Sequence, residues 1–174
     1  MLIGKQVCLG PMFQADARPI FNWRNRVDLM HLDGLYRPVS QQQFDEWFNA
    51  IGKDASRVVF SIRKQGDLEL VGFIQVSKIH PVYRSAEIGI MIGESAHRGK
   101  GYGQEALALC IAFCWDELNL QRLAVAIVGS NPQAIRAYEK AGFEHEGVMR
   151  RAIYVAGKFE DLSFMGLLRP GATA

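Results

Sequence analysis

The feature that most limits the possible folds of this chain is a glycine-rich turn, Arg98–Gly103 (Arg-Gly-Lys-Gly-Tyr-Gly), between two different kinds of segment. The apolar run before it, Ala86–Ile92, predicts a buried strand, and the run after it, Gln104–Leu109, predicts the first turns of a helix. Alternating glycines permit a tight turn with outward-facing amides. A strand, a glycine turn and a helix N-terminus in succession form a backbone cradle for a phosphate or pyrophosphate.

The glycine spacing excludes two common phosphate motifs. Gly-x-Gly-x-Gly is neither the Gly-x-Gly-x-x-Gly of dinucleotide folds nor the Gly-x-x-x-x-Gly-Lys-Ser/Thr of a P-loop. Taken alone, the triplet also fits a strand-to-helix turn that binds nothing. Arg98 and Lys100 add positive charge at the same place, which favours an anionic ligand.

Composition predicts one soluble domain, residues 1–174, because 174 residues with 49% hydrophobic content can bury a sizeable core. A net charge of +2 without a Lys/Arg run gives no reason to expect nucleic acid. No apolar run is long enough to span a bilayer, and Met1–Met12 lacks the layout of a signal peptide. Three cysteines, an odd number, suit a reducing compartment, so we expect a cytoplasmic protein without membrane partners. The histidines have no metal-ligand spacing, and no metal is predicted.

Hydrophobic periodicity and turn residues predict strands alternating with helices. The predicted strands are Val7–Leu9, Val58–Arg63, Glu69–Ile79, Ala86–Ile92, Arg122–Val128, Phe143–Tyr154 and Phe159–Leu168. The predicted helices are Gln14–Arg26, Ser40–Ile51, Tyr102–Leu118 and Pro132–Ala141. Ser40 with Gln43 three residues later predicts a capping box. This order of elements predicts a mixed α/β domain with a partly parallel sheet.

Two motifs about thirty residues apart resemble those of the GCN5-related N-acetyltransferases (GNAT). Arg98-x-x-Gly101-x-Gly103 resembles the acetyl-CoA signature of that family, and Asn131–Phe143 resembles its second signature, Asn-x-x-Ala-x-x-x-Tyr-x-Lys-x-Gly-Phe. Gly147–Leu168 resembles the RimJ/RimL-type branch. The resemblance implies an α/β (α+β) GNAT fold. Its mixed, mostly antiparallel sheet would have about seven strands, with a central parallel pair splayed to hold CoA and helices on both faces.

The resemblance implies acetyl-CoA as co-substrate and assigns several residues to its binding. These are Ile90, Met91, Ile92, Arg98, Gly99, Lys100, Gly101, Tyr102, Gly103, Asn131, Ala134 and Lys140. Residues 90–92 would offer free backbone groups to pantetheine and one N–H to the oxyanion of the tetrahedral intermediate. Asn131 also suits a helix N-cap, and Lys140 equally suits a solvated charge at a helix end.

Acetyl transfer to an amine needs a base and an acid. An alkylamine has a pKa near ~10.4 and is mostly protonated at pH 7, so its proton must be removed. Glu87 is the best-placed carboxylate, directly or through water, although it also suits a surface position on a half-buried strand. The family places a tyrosine near the sulfur, and Tyr138 matches it. A phenol with a pKa near ~10 can protonate a thiolate whose conjugate thiol has a pKa near ~8.5. Tyr138 also suits simple packing in the core.

The sequence constrains the identity of the acetyl acceptor less than that of the acetyl donor. Phe21–Asn25 and the pair Ser77-Lys78 resemble the amino-sugar N-acetyltransferases of flagellin pseudaminic-acid synthesis, whose acceptor is a UDP-linked 4-amino sugar. That resemblance places Arg24, Ser77 and Lys78 at the acceptor. Arg24 and Arg26 on one helix would give a basic pocket for an anionic substrate, or a solvated helix face.

Bacterial spermidine N-acetyltransferases resemble the C-terminal half of the chain, but they carry acidic residues where this chain has Gln75, Ser77 and Lys78. We therefore expect direct acetyl transfer to the primary amine of a nucleotide-activated 4-amino sugar or another anionic small molecule. A polyamine acceptor, a protein N-terminus and a CoA-binding module without catalysis are the alternatives. A homodimer is expected by analogy alone.

Overall fold

A computed structural model describes residues 1–171, which form one mixed sheet with helices on both faces. The strands are β1 (Leu2–Ile3), β2 (Val7–Gly10), β3 (Val58–Lys64), β4 (Leu70–His80), β5 (Ser85–Ile92), β6 (Arg122–Val128), β7 (Glu144–Val155) and β8 (Lys158–Leu168). The helices are α1 (Ala17–Arg24), α2 (Val27–Met30), α3 (Gln41–Ala50), α4 (Tyr102–Asp116) and α5 (Pro132–Lys140). The strand order is β1-β2-β3-β4-β5-β6-β8-β7, and β5–β6 is the parallel pair.

The sheet has eight strands rather than about seven, because the two-residue β1 pairs with β2 at the sheet edge. The helix expected over Gln14–Arg26 is present as far as Arg24, but it is not one regular α-helix and ends two residues early. It is a 3-10 turn followed by α1, and the extended backbone of Arg26 separates α1 from α2. A tertiary contact ends α1, since the Asn25 amide group bonds the backbone of Val39 through both its oxygen and its nitrogen. The capping box of Ser40 and Gln43 is confirmed at the start of α3.

The predicted splay of the parallel pair is confirmed. Strands β5 and β6 share three aligned pairs, the last of which joins Glu87 to Ala124. Beyond it β5 stays paired with β4 as far as Ile92, while β6 stays paired with β8 as far as Val128. The two central strands therefore separate, and a gap opens inside the sheet.

Two apolar cores flank the sheet. On one face α4 and α5 pack against the strands through residues such as Leu107, Cys110 and Tyr138. On the other face α1 and α3 pack through a cluster that includes Trp23 and Phe44. None of the helices within residues 1–171 is long and apolar enough to cross a membrane.

Helix α4 is fixed to the sheet edge by Glu105 in its first turn. The carboxylate accepts hydrogen bonds from the backbone N–H groups of Lys5, Gln6 (2.8 Å) and Val7 (3.0 Å). Burial alone would raise the pKa of Glu105, but these donors outweigh burial and lower the pKa. The interaction sets the position of the α4 N-terminus, where the glycine turn ends.

We expect Glu105→Gln to lower the free energy of unfolding at pH 7 by about 1–2 kcal/mol, because a neutral amide accepts these hydrogen bonds less strongly. A group with a lowered folded pKa stabilises the fold above its unfolded pKa, and that stability is lost as the pH falls through the folded pKa. Denaturant unfolding between pH 7 and pH 3 should therefore show a weaker pH dependence in the variant. Glu117→Gln, at the other end of α4, is the control, and an equal loss in both variants would contradict the assignment.

Candidate active site

The glycine turn forms a cradle of free amides in front of α4. Gly99 and Gly101 have φ angles of 71° and 87°, in the left-handed region that favours glycine. Helix α4 begins at Tyr102, and no side chain of the described residues forms a cap hydrogen bond at its start. Within residues 1–171 the amides of Gly99–Gly103 donate to no protein acceptor. Free N–H groups at a helix N-terminus are suited to bind an anion such as a diphosphate.

The loop before the cradle is held from two sides. The Arg98 guanidinium donates to the carbonyl oxygens of Ile92 (3.3 Å) and Gly93 (3.0 Å), so it shapes the loop, whereas Lys100 is exposed. The Trp23 indole donates to Glu94 at 2.7 Å and packs against Gly93, where a Cβ atom would come within 2.0 Å of the ring. The end of β5 is therefore fixed against α1.

Residues 90–92 of β5 lie on the open side of the gap and are half-buried, so their backbone edge toward β6 is unpaired, as expected for the predicted ligand strand. The Tyr138 hydroxyl, from α5, donates to the carbonyl oxygen of Ile88 at 3.2 Å. Tyr138 is only 3% exposed. Burial raises its pKa, and nearby Cys110 and Asp33 raise it further. A protonated phenol thus lies at the edge of the gap.

The predicted ligands on α5 have defined roles in the structure. The Asn131 side-chain oxygen accepts from the Ala134 amide (3.1 Å), which confirms the N-cap. The Asn131 amide nitrogen donates to the Leu32 carbonyl oxygen at 3.0 Å and so holds the loop after α2. Lys140 lines a groove of about 690 Å³ that begins at Gly101 of the cradle.

The structure brings Glu87, Ser77 and Lys78 together beside the gap. Ser77 is paired with Glu87 across the β4–β5 ladder, and the Lys78 ammonium contacts the Glu87 carboxylate at 2.8 Å. Both side chains of this ion pair are exposed. The candidate base and a candidate acceptor contact thus neutralise each other.

The predicted basic pocket is smaller than expected. Arg26 pairs with Asp28 (2.7 Å) and Glu94 (2.9 Å), so it belongs to the loop that holds the cradle. Arg24 stacks on the Trp47 ring with 4.8 Å between the guanidinium carbon and the ring centroid. Within residues 1–171 its guanidinium has no hydrogen bond or ion pair. Burial lowers the pKa of Arg24, and nearby Asp33 raises it.

Sequence reasoning missed Asp33, in the turn after α2. Its side chain retains access to solvent, but the protein atoms around the carboxyl group desolvate it and raise its pKa against the opposing effect of Arg24. The negative charge of Asp33 also raises the pKa of Tyr138. A loop aspartate with no motif around it gave no signal, because only the fold brings this loop beside α1 and α5.

Comparison with known proteins is consistent with this geometry. The profile of the acetyltransferase (GNAT) domain family matches residues 6–144. The spermidine N(1)-acetyltransferase of Vibrio cholerae is 25% identical over 167 residues, which cover 96% of this chain and 95% of the relative. A crystal structure of the V. cholerae enzyme with CoA and spermine has a TM-score of 0.87 at 26% identity, covering 94% of this chain and 95% of that one. A dodecameric structure of the same enzyme has a TM-score of 0.77 at 25% identity, covering 94% of each chain.

We expect Gly99→Ala to weaken the binding of CoA, the ligand implied by the sequence motifs, by about tenfold or more. A side chain at φ 71° costs roughly 1–2 kcal/mol and turns the cradle amides away from a diphosphate. Gly52→Ala is a matched control, since Gly52 has φ 84° and, as at Gly99, an added Cβ meets no atom within 4 Å. Both variants should lose similar thermal stability, while titration calorimetry should detect weaker CoA binding in Gly99→Ala alone. Unchanged binding in that variant would exclude the cradle.

Proposed function

Because the chain belongs to the acetyltransferase (GNAT) family, we propose that it transfers the acetyl group of acetyl-CoA to the primary amine of a small molecule. The observation that carries this proposal is the gap between β5 and β6, with the Tyr138 hydroxyl at its edge and the free amides of Gly99–Gly103 at its end. The gap can hold an extended acyl-pantetheine arm, and the cradle can hold the diphosphate from which that arm extends.

The residues that we propose to bind CoA can be assigned to successive parts of that ligand. The Gly99–Gly103 amides bind the diphosphate, with Lys100 adding charge, and Lys140 lies within reach of the remaining phosphate along the same groove. The unpaired backbone edge of Ile90–Ile92 bonds pantetheine. The CoA bound in the V. cholerae relative supports this use of the shared fold.

Tyr138 is the proposed acid for the leaving thiolate. Its raised pKa keeps the phenol protonated throughout the neutral range, so a proton is always available. The gap that desolvates the phenol also desolvates the thiolate and raises its proton affinity, so the proton transfer remains feasible. One amide of residues 90–92 stabilises the oxyanion. Glu87 is a candidate base that would act through water. A module that only bound CoA would need neither an acid nor a base.

For the acceptor, we infer a primary amine that also carries an anionic group, with a nucleotide-activated 4-amino sugar as the first compound to test. Arg24 supports this, because its guanidinium has no partner within residues 1–171 and is partly desolvated against Trp47. An unpaired, partly buried cation favours an anion and repels a second ammonium.

A polyamine is the second candidate, supported by a different observation. The V. cholerae relative, which matches over nearly its whole length, is a spermidine acetyltransferase. Asp33 and Glu87 supply two carboxylates near the gap, although Glu87 is already paired with Lys78. The dodecamer formed by that relative supports a homo-oligomer of this chain, whether the predicted dimer or a larger assembly.

Release of CoA from acetyl-CoA, measured with a thiol reagent, tests the function. Purified protein should release CoA in the presence of an amine and form the N-acetyl product, identified by mass spectrometry. UDP-linked 4-amino sugar and spermidine are compared at equal concentration, and the higher kcat/KM decides between the two acceptor classes. No CoA release with either amine, although CoA binds, would favour a binding module.

We expect Tyr138→Phe to lower kcat by about 100-fold or more and to leave the affinity for acetyl-CoA nearly unchanged, because only the proton donor is lost. Loss of the hydrogen bond to Ile88 should also lower stability by about 1–3 kcal/mol. Steady-state kinetics and thermal unfolding separate the two effects. Wild-type turnover in the variant would remove Tyr138 from the chemistry.

Arg24→Ala should raise the KM of an anionic acceptor about tenfold or more, since a charge-assisted contact is worth about 1.5–3 kcal/mol. The KM of acetyl-CoA should not change, and the KM of spermidine should stay the same or fall. Arg18→Ala, an exposed arginine on the same helix, is the control. If Arg24→Ala leaves both acceptor constants at wild-type values, Arg24 does not contact the acceptor.

A further inference from the structure

We propose that Asp33 is a catalytic residue, which accepts the proton of the acceptor ammonium before the amine attacks. The proposal rests on the acetyltransferase function above and adds a base that the sequence motifs did not identify. It is carried by the hydrogen bond from Asn131 to the Leu32 carbonyl oxygen, which fixes the Asp33 loop against the start of α5. The charge of Asp33 also acts on Arg24 of α1 and on Tyr138 of α5.

Hydrogen bonds fix the backbone on both sides of Asp33. The amides of Asp33 and Gly34 both donate to the Met30 carbonyl oxygen, at 3.0 Å and 2.9 Å. One residue earlier, the Leu32 carbonyl oxygen accepts from Asn131 at the start of α5. The helix that holds Tyr138 therefore also holds the Asp33 loop. Helix α5 fixes both the Tyr138 side chain and the backbone next to Asp33.

The charges around Asp33 leave its carboxylate available to a cation. Within residues 1–171 no protein donor forms a hydrogen bond to the carboxylate. The positive charge of Arg24, on α1, lowers the pKa of Asp33. The nearby charge of Arg57 in turn lowers the pKa of Arg24. Tyr138 from α5 is the titratable group on the other side. Desolvation by the surrounding protein raises the Asp33 pKa against the opposing effect of Arg24, which makes the carboxylate a stronger base than an unperturbed aspartate.

Glu87 is less suited to this step. Its carboxylate already contacts the Lys78 ammonium at 2.8 Å, so an acceptor ammonium would have to displace Lys78 before it could approach Glu87. The ion pair is also open to solvent, with 47% of the Glu87 side chain exposed. The two carboxylates can therefore be separated by experiment.

In the proposed step, Asp33 takes one proton from the acceptor ammonium and later returns it to solvent. The neutral nitrogen then forms a bond to the thioester carbonyl carbon, and the carbon–sulfur bond breaks as the tetrahedral intermediate collapses. The sulfur takes the Tyr138 proton, and the nitrogen loses its second proton, which restores the phenol. The products are the N-acetyl amide, CoA as the thiol, and one proton.

The test compares Asp33→Asn, Glu87→Gln and the control Asp45→Asn, an exposed carboxylate on α3, with the better acceptor of the wild type. We expect Asp33→Asn to lower kcat/KM at pH 7 by about 100-fold, as for loss of a general base. In this variant the acidic limb of the wild-type pH profile should be replaced by one set by the pKa of the acceptor ammonium. Its rate should therefore rise about tenfold per pH unit through the neutral range as more of the amine becomes neutral. Glu87→Gln and Asp45→Asn should keep the wild-type acidic limb.

Hydroxylamine supplies a second readout, because its nitrogen is already unprotonated at neutral pH and needs no base. With hydroxylamine, Asp33→Asn should transfer acetyl groups within about threefold of the wild-type rate. An equal loss with both acceptors, or an unchanged acidic limb with the amine, would overturn the role of Asp33. If Asp33→Asn unfolds or loses CoA affinity, Asp33→Glu should retain the acidic limb, and its absence there would also overturn the proposal. A wild type that releases no CoA with any amine would overturn the function itself.

Discussion

Strands β5 and β6 share three aligned pairs and then separate, while each keeps its hydrogen bonds to its outer neighbour. The cost of leaving backbone groups unpaired inside a sheet is high, so a gap of this kind persists only where the flanking strands are held independently. Strand β4 holds β5, and β8 holds β6. A ligand that fills the gap can supply the missing hydrogen bonds, which is why we propose the opening as the binding site.

Contacts with helices on both faces of the sheet hold the end of β5 and the start of α4 in place beside the gap. The Trp23 indole on Gly93 and the Arg98 guanidinium on two carbonyl groups fix the end of β5, so the free amides that follow keep one orientation. On the opposite face Glu105 fixes the start of α4 to the β1–β2 loop. Preorganised donors of this kind need no rearrangement when an anion binds.

Charge in the site is mixed rather than basic. Within the described residues 1–171, Arg26 pairs with two carboxylates and Lys78 with Glu87, whereas the Arg24 guanidinium and the Asp33 carboxylate have no hydrogen bond or ion pair. One unpaired group of each sign suits an acceptor that presents an ammonium to one and an anion to the other. In the mechanism that we propose, this arrangement separates Asp33, which removes a proton, from Arg24, which orients the substrate.

The sequence determined the local features, because periodicity and turn chemistry act over a few residues. It specified β6 and the capped starts of α3 and α5, and the motifs located the glycine cradle and Tyr138. The break after α1 depends on Asn25 bonding Val39, a contact across fourteen residues that no local pattern encodes. Tertiary structure alone decided which charges are paired and brought Asp33 beside Arg24 and Tyr138, because side chains from separate elements meet only once the sheet and helices have packed.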